Sequence, residues 1–479
     1  TEAAIDEQLI HDLLVNGMDC ARINCAHDGP AEWSAMIRNL RRAQRTTGRS
    51  CRIMMDLAGP KLRTGPVTVG LDVLKYRPRR DVYGRVVEPA RIWVSDDLVS
   101  HPAPAAADAS LQVDGDWLAG LESGDTVKFR DTRDANRRLR VAAVTSEGCW
   151  LEARKTAYLD NGVMLYHHCE GDRRVSGTFV SGIPAIENYL RLFSGDRLIL
   201  TADAYPGEPA KYDGSGLVLA PARISCTLPE ILEQVSAGES IWFDDGKIGG
   251  IIEKAETDSL QIKITHANAG GSKLRSDKGI NLPDSSLELP ALTRKDRADL
   301  EFVATHADIV ALSFANTAED VRSLKQALDQ VGEGQPAIVL KIETMAGFRH
   351  LPDMLLEVMS SPACGVMIAR GDLAVESGFE RLAELQEEIL WLCEAAHVPV
   401  IWATQVLENL AKTGAPTRAE ITDAAMAHRS ECVMLNKGPH IVETVRTLDN
   451  ILARMEGHQF KKQPMLRKLQ LAAQWLNPE

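Results

Sequence analysis

Two charged residues close an apolar run in the segment VLKIET, residues 339–344: Lys341 and Glu343 follow Val339 and Leu340 and flank Ile342. Strands of a parallel sheet are apolar on both faces, so an ammonium and a carboxylate at the end of one need a partner or a ligand. The run GVMIARGD, residues 365–372, also ends on an acid, Asp372. Two acids at successive strand ends suit a hard divalent cation such as Mg²⁺ or Mn²⁺, which takes one or two carboxylates and fills its shell with water and substrate oxygens. A lysine beside them would place a fixed positive charge where a reaction develops negative charge. Taken alone, the same acids also fit helix caps or arginine partners.

Such groups must be gathered by elements, and the chain supplies them in two blocks. The first holds CARINC (20–25) and CRIMMDL (51–57), separated by the helical pattern AEWSAMIRNLRRA. The second holds ADIVALSF (307–314), AIVLKIE (337–343), GVMIARGD, PVIWATQ (399–405) and CVMLNK (432–437). Helical patterns at 318–331 and 384–396 lie between them, the first with Val321, Leu324 and Leu328 on one face. Seven β/α units fit a doubly wound sheet or a closed barrel lacking one strand. The strand ends favour the TIM (β/α)8 barrel. Arg22 and Asn24, Asp56, Ser313, Lys341 and Glu343, Asp372 and Thr404 each end a strand, and in a barrel those ends converge on one mouth. An eighth strand is expected to precede Thr1.

Residues 66–277 read differently: rich in Gly and Pro, with short alternating strands, they form an inserted all-β region. A weak echo appears there three times, in SGDTVKF (123–129), SGDRLIL (194–200) and AGESIWF (237–243), each a turn entering a strand. PAPAAADA (102–109) is expected as an exposed loop, and AIENYLRLF (185–193) and PEILEQV (229–235) as helical pieces. His167, His168 and Cys169 are adjacent but lack metal-ligand spacing, so a solvated strand end is expected there. The expected division is a discontinuous barrel, 1–65 and 278–456, an inserted lid-like β region, 66–277, and a short helical tail, 457–479.

At 479 residues the chain exceeds one ordinary core. Its 44% hydrophobic and 25% charged residues suit a soluble globular protein, and no run of about eighteen apolar residues suggests a membrane span. A net charge of −13 argues against nucleic acid as partner, while small anions need only a local basic pocket. Nine cysteines without a CxxC pair or a secretory leader point to the cytoplasm.

The stretches GMDCARINCAH, MMDLAGPKLRTG, WFDDGKI, DKGINLPDSSLELPALTRKD, VLKIET, VMIARGDLAVE, VIWATQVLENL and APTRAEITDAA follow in order from about residue 8 to 435. In these blocks the chain resembles the pyruvate kinase family, as a short, divergent bacterial-type member without the C-terminal regulatory domain, since only some two dozen residues follow the last expected helix at 441–456. The resemblance implies phosphoryl transfer from phosphoenolpyruvate to ADP, giving pyruvate and ATP. It implies that Lys341 meets the transferring phosphoryl and enolate oxygen, that Glu343 and Asp372 hold Mg²⁺ or Mn²⁺, and that the backbone of Ala369, Arg370 and Gly371 receives the substrate carboxylate. Thr404 corresponds to the threonine of enolate protonation, Arg22 and Arg63 to phosphate-gripping arginines, Ser313 to a substrate contact, and Asn24, His27, Lys278 and Asp244 to positions near nucleotide or phosphates.

Blander readings stand beside these. His27 fits a helix cap, Asp244 and Asp245 before Gly246 fit a plain turn, Thr404 fits a satisfied core hydroxyl, and Arg22 an ion-pair partner. In PTRAE, Thr417 reads as a helix cap and Glu420 as its capping-box partner.

The departures from the family concern charge. Of its K⁺ site, Asn24 and Asp56 remain, Ala26 and Leu57 replace the two hydroxyl residues, and Lys61 stands where K⁺-dependent members carry glutamate. An ammonium supplies the charge that K⁺ would, so K⁺ is expected to be dispensable. Ala58, Asn316 and the segment Asn436–Pro439 depart on the nucleotide side. Three functions stay open: the kinase, a Mg²⁺-dependent lyase or aldolase working through a pyruvate enolate, and a non-catalytic binder of phosphoenolpyruvate or nucleotide. Any homodimer would form through the barrel.

Overall fold

The structure, a computed structural model, describes residues 2–168, 175–285, 287–332, 334–460 and 463–464. Among them no helix is long and apolar enough to cross a membrane. The chain divides into two compact units, 1–66 with 191–479 and 67–190.

The first unit contains a seven-stranded, all-parallel sheet in chain order: β1 Cys20–Asn24, β2 Arg52–Asp56, β3 Ile309–Leu312, β4 Ala337–Ile342, β5 Cys364–Ala369, β6 Val400–Ala403 and β7 Cys432–Val433. Alternation sorts its side chains into two sets. Met54, Ala311, Val339, Met367 and Ala403 pack together with Cys20, Ile309, Ile401 and Met434, one or two from each of β1 to β6 and one just past β7, as the interior layer of a curled sheet. The intervening residues, Ile53, Met55, Val310, Leu312, Ile338, Leu340, Val366, Ile368, Val400 and Trp402, join the helices in the main core. This is a TIM-type barrel architecture with seven strands among the described residues. Two residues beyond the interior layer toward each strand's carboxyl end lie Arg22, Asp56, Ser313 and Lys341, so the period of two that builds the core also aims the chemistry inward.

The helices begin where the sequence provides caps. Thr293 with Asp296, Thr317 with Asp320 and Thr417 with Glu420 form reciprocal capping boxes for Arg294–His306, Ala318–Val331 and Arg418–Ala427. The helix Pro30–Thr47 is capped at Gly29, with Glu32 reaching back to its N–H at 3.0 Å, so capping does not fall to His27. The last barrel helix spans Ile441–Glu456.

The first unit also contains a six-stranded, largely antiparallel sheet drawn from residues 197–281. The second unit, 67–190, has its own apolar core around a seven-stranded sheet. The threefold echo is one device in both units. Gly124, Gly195 and Gly238 take φ of 103°, 96° and 97°, and each donates its N–H to a facing strand. The next acid accepts from an N–H three residues back: Asp125 from Glu122 and Asp196 from Phe193, both at 2.8 Å, and Glu239 from Ser236 at 3.2 Å. A side chain there would strain at such φ values, which is why the motif keeps glycine.

Two expectations are corrected, and the helical piece expected at 229–235 is met in a tighter form. The segment 185–193 is not helical; Leu190–Leu192 is a strand. Residues Pro229–Gln234 form a 3-10 turn of helix, with Pro229 fixing its start. His167 is buried, not solvated, and its Nε2 lies 2.7 Å from Asp125 Oδ2, because the alternation of its strand turns it inward. Cys169 and the tail residues Met465, Leu466, Leu469 and Trp475 lie outside the described residues.

Candidate active site

At the carboxyl ends of the barrel strands, Lys341 is the hub. It is 8% exposed, and its Nζ lies 3.1 Å from Asp56 Oδ1 and 3.1 Å from Glu343 Oε1, and donates to Ser313 Oγ at 2.6 Å. Ser313 passes its own proton toward Leu57 O at 2.7 Å, with Asp56 Oδ1 at 3.3 Å. Arg22 donates Nε to Asp56 Oδ2 at 2.9 Å, and a second guanidinium nitrogen donates to the same oxygen. Burial alone would drive the Lys341 ammonium toward neutrality, but Asp56 and Glu343 overcome it and hold the pKa above the ordinary lysine value. Burial likewise opposes ionised Asp56, and Lys341 and Arg22 reverse that and lower its pKa. The pair therefore remains charged, as a buried ion pair does only when its remaining hydrogen-bonding capacity is met.

Glu343 behaves differently. Burial raises its carboxyl pKa; Lys341 opposes the rise and Asp372 adds to it by repulsion. Its Oε2 accepts the N–H of Phe314 at 2.7 Å, and Phe314 takes a left-handed φ of 52° that a phenylalanine seldom adopts. Asp372 lies in the first turn of the helix Arg370–Ser377 that follows β5, and both its oxygens accept from Lys61 Nζ, at 3.0 and 2.9 Å. Two carboxylates near enough to repel, one pushed toward protonation first by its burial and then by the other's charge, form a donor set that fits a hard divalent cation. Among the described residues no group of three or more His, Cys, Asp and Glu is arranged to hold a metal, so any such ion would take substrate or water oxygens as well.

Thr404 follows β6 with φ of 68°, and Gln405 and Leu407 are also left-handed, at 58° and 47°. Strain in three of four residues after a barrel strand has to be held by something. Arg370 holds it: Nε donates to Ala403 O at 2.9 Å, Nη2 donates to Thr404 O and to Asp423 Oδ2, the latter at 2.9 Å, and the guanidinium lies 4.9 Å from the Trp402 ring centroid. Thr404 Oγ1 itself is buried with no hydrogen-bond partner among the described residues. It lies 3.8 Å from where a Cβ on Gly371 would sit. A buried hydroxyl without a partner is uncommon and marks a group kept for something else.

A sequence model described as "Pyruvate kinase, barrel domain" matches residues 196–440, more than half of the chain. The chain belongs to the pyruvate kinase family. Among its relatives, the pyruvate kinase of Bacillus licheniformis is 34% identical over 274 residues, 56% of this chain and 44% of that protein. That of Geobacillus stearothermophilus is 34% identical over 258 residues, 51% and 43% of the two chains. That of Methylorubrum extorquens is 32% identical over 294 residues, 60% and 55%. The chain spans about half the length of the curated relatives it matches.

Within this pyruvate kinase barrel, Arg22, Asp56, Ser313, Lys341 and Glu343 form one contact network, and Lys61 with Asp372 forms a second whose charges bear on Glu343. The residues expected near nucleotide make other side-chain contacts, although Asn24 lies beside Asp56 in the strand register. Arg63 is directed to Asp277, with Nη1 donating to its carbonyl at 3.0 Å. Lys278 and Lys247 both pair with Asp244, at 3.3 and 3.1 Å, beside a cavity of about 350 Å³ that Arg275, Lys273 and Asn268 also line. Asp244 and Asp245 carry φ of 51° and 55° ahead of Gly246, so the turn reading holds as well. Asn24 Oδ1 accepts the N–H of Ala26 at 3.1 Å, and His27 contributes its carbonyl to Trp33 Nε1. Lys61 is bonded to Asp372 instead of joining Asn24 and Asp56.

Sequence reasoning missed Asp423, which anchors Arg370 from the helix Arg418–Ala427, and Glu376, one turn beyond Asp372. Glu376 Oε1 accepts from Asn281 Nδ2 at 3.3 Å, and burial, reinforced by Asp372 and Asp284, pushes its carboxyl up to about 7. Both acids lie within the quoted blocks VMIARGDLAVE and APTRAEITDAA, so the signal was present without a partner to interpret it.

Proposed function

We propose that this chain moves the phosphoryl group of phosphoenolpyruvate to ADP, giving pyruvate and ATP, with Mg²⁺ or Mn²⁺ as the divalent ion and no need for K⁺. The observation that carries this is the buried Lys341, fixed and charged between Asp56, Ser313 and Glu343 at the barrel mouth. Phosphoryl transfer spreads charge over phosphoryl oxygens and leaves an enolate, and a preorganised ammonium opposes both without reorganising. Glu343 and Asp372 would hold the ion, which supplies Lewis-acid charge when bound. The N–H groups at Ala369, Arg370 and Gly371 would receive the substrate carboxylate at a helix start. Arg22 would orient a phosphate oxygen, and the Thr404 hydroxyl would position the proton delivered to the enolate carbon. Arg63, Lys278, Asp244, Asn24 and His27 would meet nucleotide or phosphate. In this reading residues 66–277 are the inserted β region and 457–479 the tail.

A coupled assay tests the proposal. Pyruvate should appear from phosphoenolpyruvate only when ADP and the divalent ion are both present, and without added K⁺. Pyruvate from a larger keto acid without nucleotide would identify a lyase, and tight phosphoenolpyruvate binding without turnover a binding protein.

A further inference from the structure

Lys61 brings a cation to the place where a divalent ion is proposed to bind. Its ammonium donates to both oxygens of Asp372, and the two side chains are 24% and 15% exposed, so water screens the contact only weakly. The lysine stem is guided into place: a Cβ on Gly279 would come within 3.2 Å of Lys61 Cε, and Nζ lies 6.0 Å from the Phe314 ring centroid. Phe314 in turn gives its N–H to Glu343, whose other oxygen faces Lys341. Each of the two carboxylates thus already carries donors from the chain itself. A carboxylate holding an ammonium with both oxygens cannot also bind a divalent ion closely without bringing two positive charges together.

We propose that Lys61 is an internal competitor for the divalent ion at Asp372. It neutralises the carboxylate in the metal-free site, leaves it when the ion enters, and then turns to the anionic groups of the substrate. This rests on the reading of Glu343 and Asp372 as ion ligands. Lys61 acts here as a positioning residue: it couples two binding events. The ion binds against Lys61 when alone, and a substrate anion offers the displaced ammonium a new partner, so each tightens the other.

Binding of Mn²⁺ to the full chain, read by electron paramagnetic resonance of the free ion, tests this without any turnover. Lys61→Met should bind Mn²⁺ about tenfold more tightly than the wild type in the absence of anions. Adding phosphoenolpyruvate should tighten Mn²⁺ on the wild type and change the variant much less. Lys61→Gln, which keeps a polar end, should behave like Lys61→Met and covers the case in which the methionine variant folds poorly. Equal or weaker Mn²⁺ binding by both Lys61 variants, with Asp372→Asn still weakening it, would overturn the competition alone. Unchanged Mn²⁺ binding in Asp372→Asn and Glu343→Gln would instead overturn the ion site on which the competition rests.

Discussion

Lys341 and Asp56 meet at 3.1 Å although their strands, β4 and β2, are separated by β3. Strands two apart in a sheet lie about 9.5 Å from one another, and the contact forms because the sheet curls toward its inner face and the lysine reaches across. Ser313, just beyond β3, fills the gap by accepting from Lys341 and facing Asp56. Removing the ammonium strands two acids in a buried site. Lys341→Met is expected to lower kcat at least about a thousandfold in the coupled assay while retaining Mn²⁺ binding, and to cost about 3 kcal/mol in urea unfolding. Normal turnover by a folded variant would remove Lys341 from the chemistry.

Arg370 should act through Thr404. Lysine cannot reproduce a fork that reaches Ala403 O, Thr404 O and Asp423 while stacking on Trp402. Arg370→Lys is expected to reduce kcat about a hundredfold with a much smaller change in KM for phosphoenolpyruvate. If it works by aiming the hydroxyl, its effect should nearly vanish in a Thr404→Val background; additive losses in that double-mutant cycle would contradict the link.

Glu376 gives the fold a pH dependence of definite sign. Its carboxyl is raised from 4.5 to about 7 by burial and by Asp372 and Asp284, so the folded chain holds a proton that the unfolded chain releases first. Stability from this group is full below pH 4.5, falls as pH rises toward 7 and is level above. Glu376→Gln keeps an acceptor for Asn281 and lacks the titration. Its stability relative to wild type should therefore rise by about 3 kcal/mol between about pH 4.5 and pH 8 in urea melts. A pH-independent difference would show that Glu376 ionises as freely in the folded chain as in the unfolded one.

Lys61 should make potassium dispensable. With phosphoenolpyruvate, ADP and Mg²⁺ saturating, adding K⁺ to a K⁺-free buffer is expected to change the rate by less than about twofold. A strong requirement for K⁺ would separate Lys61 from the role of substituting for it.

The barrel was legible because its signals are local and repeated. Apolar runs ending in polar residues marked all seven strands, and Thr293, Thr317 and Thr417 each announce a helix with an acid three residues on. Lys341 and Glu343 were legible because a charge at a buried strand end is costly unless a partner or a ligand meets it. The pairing of Lys61 with Asp372 joins residues 311 positions apart, and that of Arg370 with Asp423 joins residues 53 apart, and no local pattern encodes which charge meets which. The segment 185–193 misled because Ile186, Leu190 and Leu192 fit a helical face and a strand about equally over so short a span. His167 misled because polarity suggested water, whereas a half-buried partner, Asp125, meets its ring nitrogen.

The most direct measurement follows the phosphorus atom. In ³¹P NMR of the chain with phosphoenolpyruvate, ADP and Mg²⁺, the phosphoenolpyruvate signal should decay as the γ-phosphoryl signal of ATP grows in equal amount, and Lys341→Met should show neither change. Phosphorus released as inorganic phosphate, or a wild-type spectrum that stays constant while the ligands are bound, would contradict phosphoryl transfer at this barrel mouth.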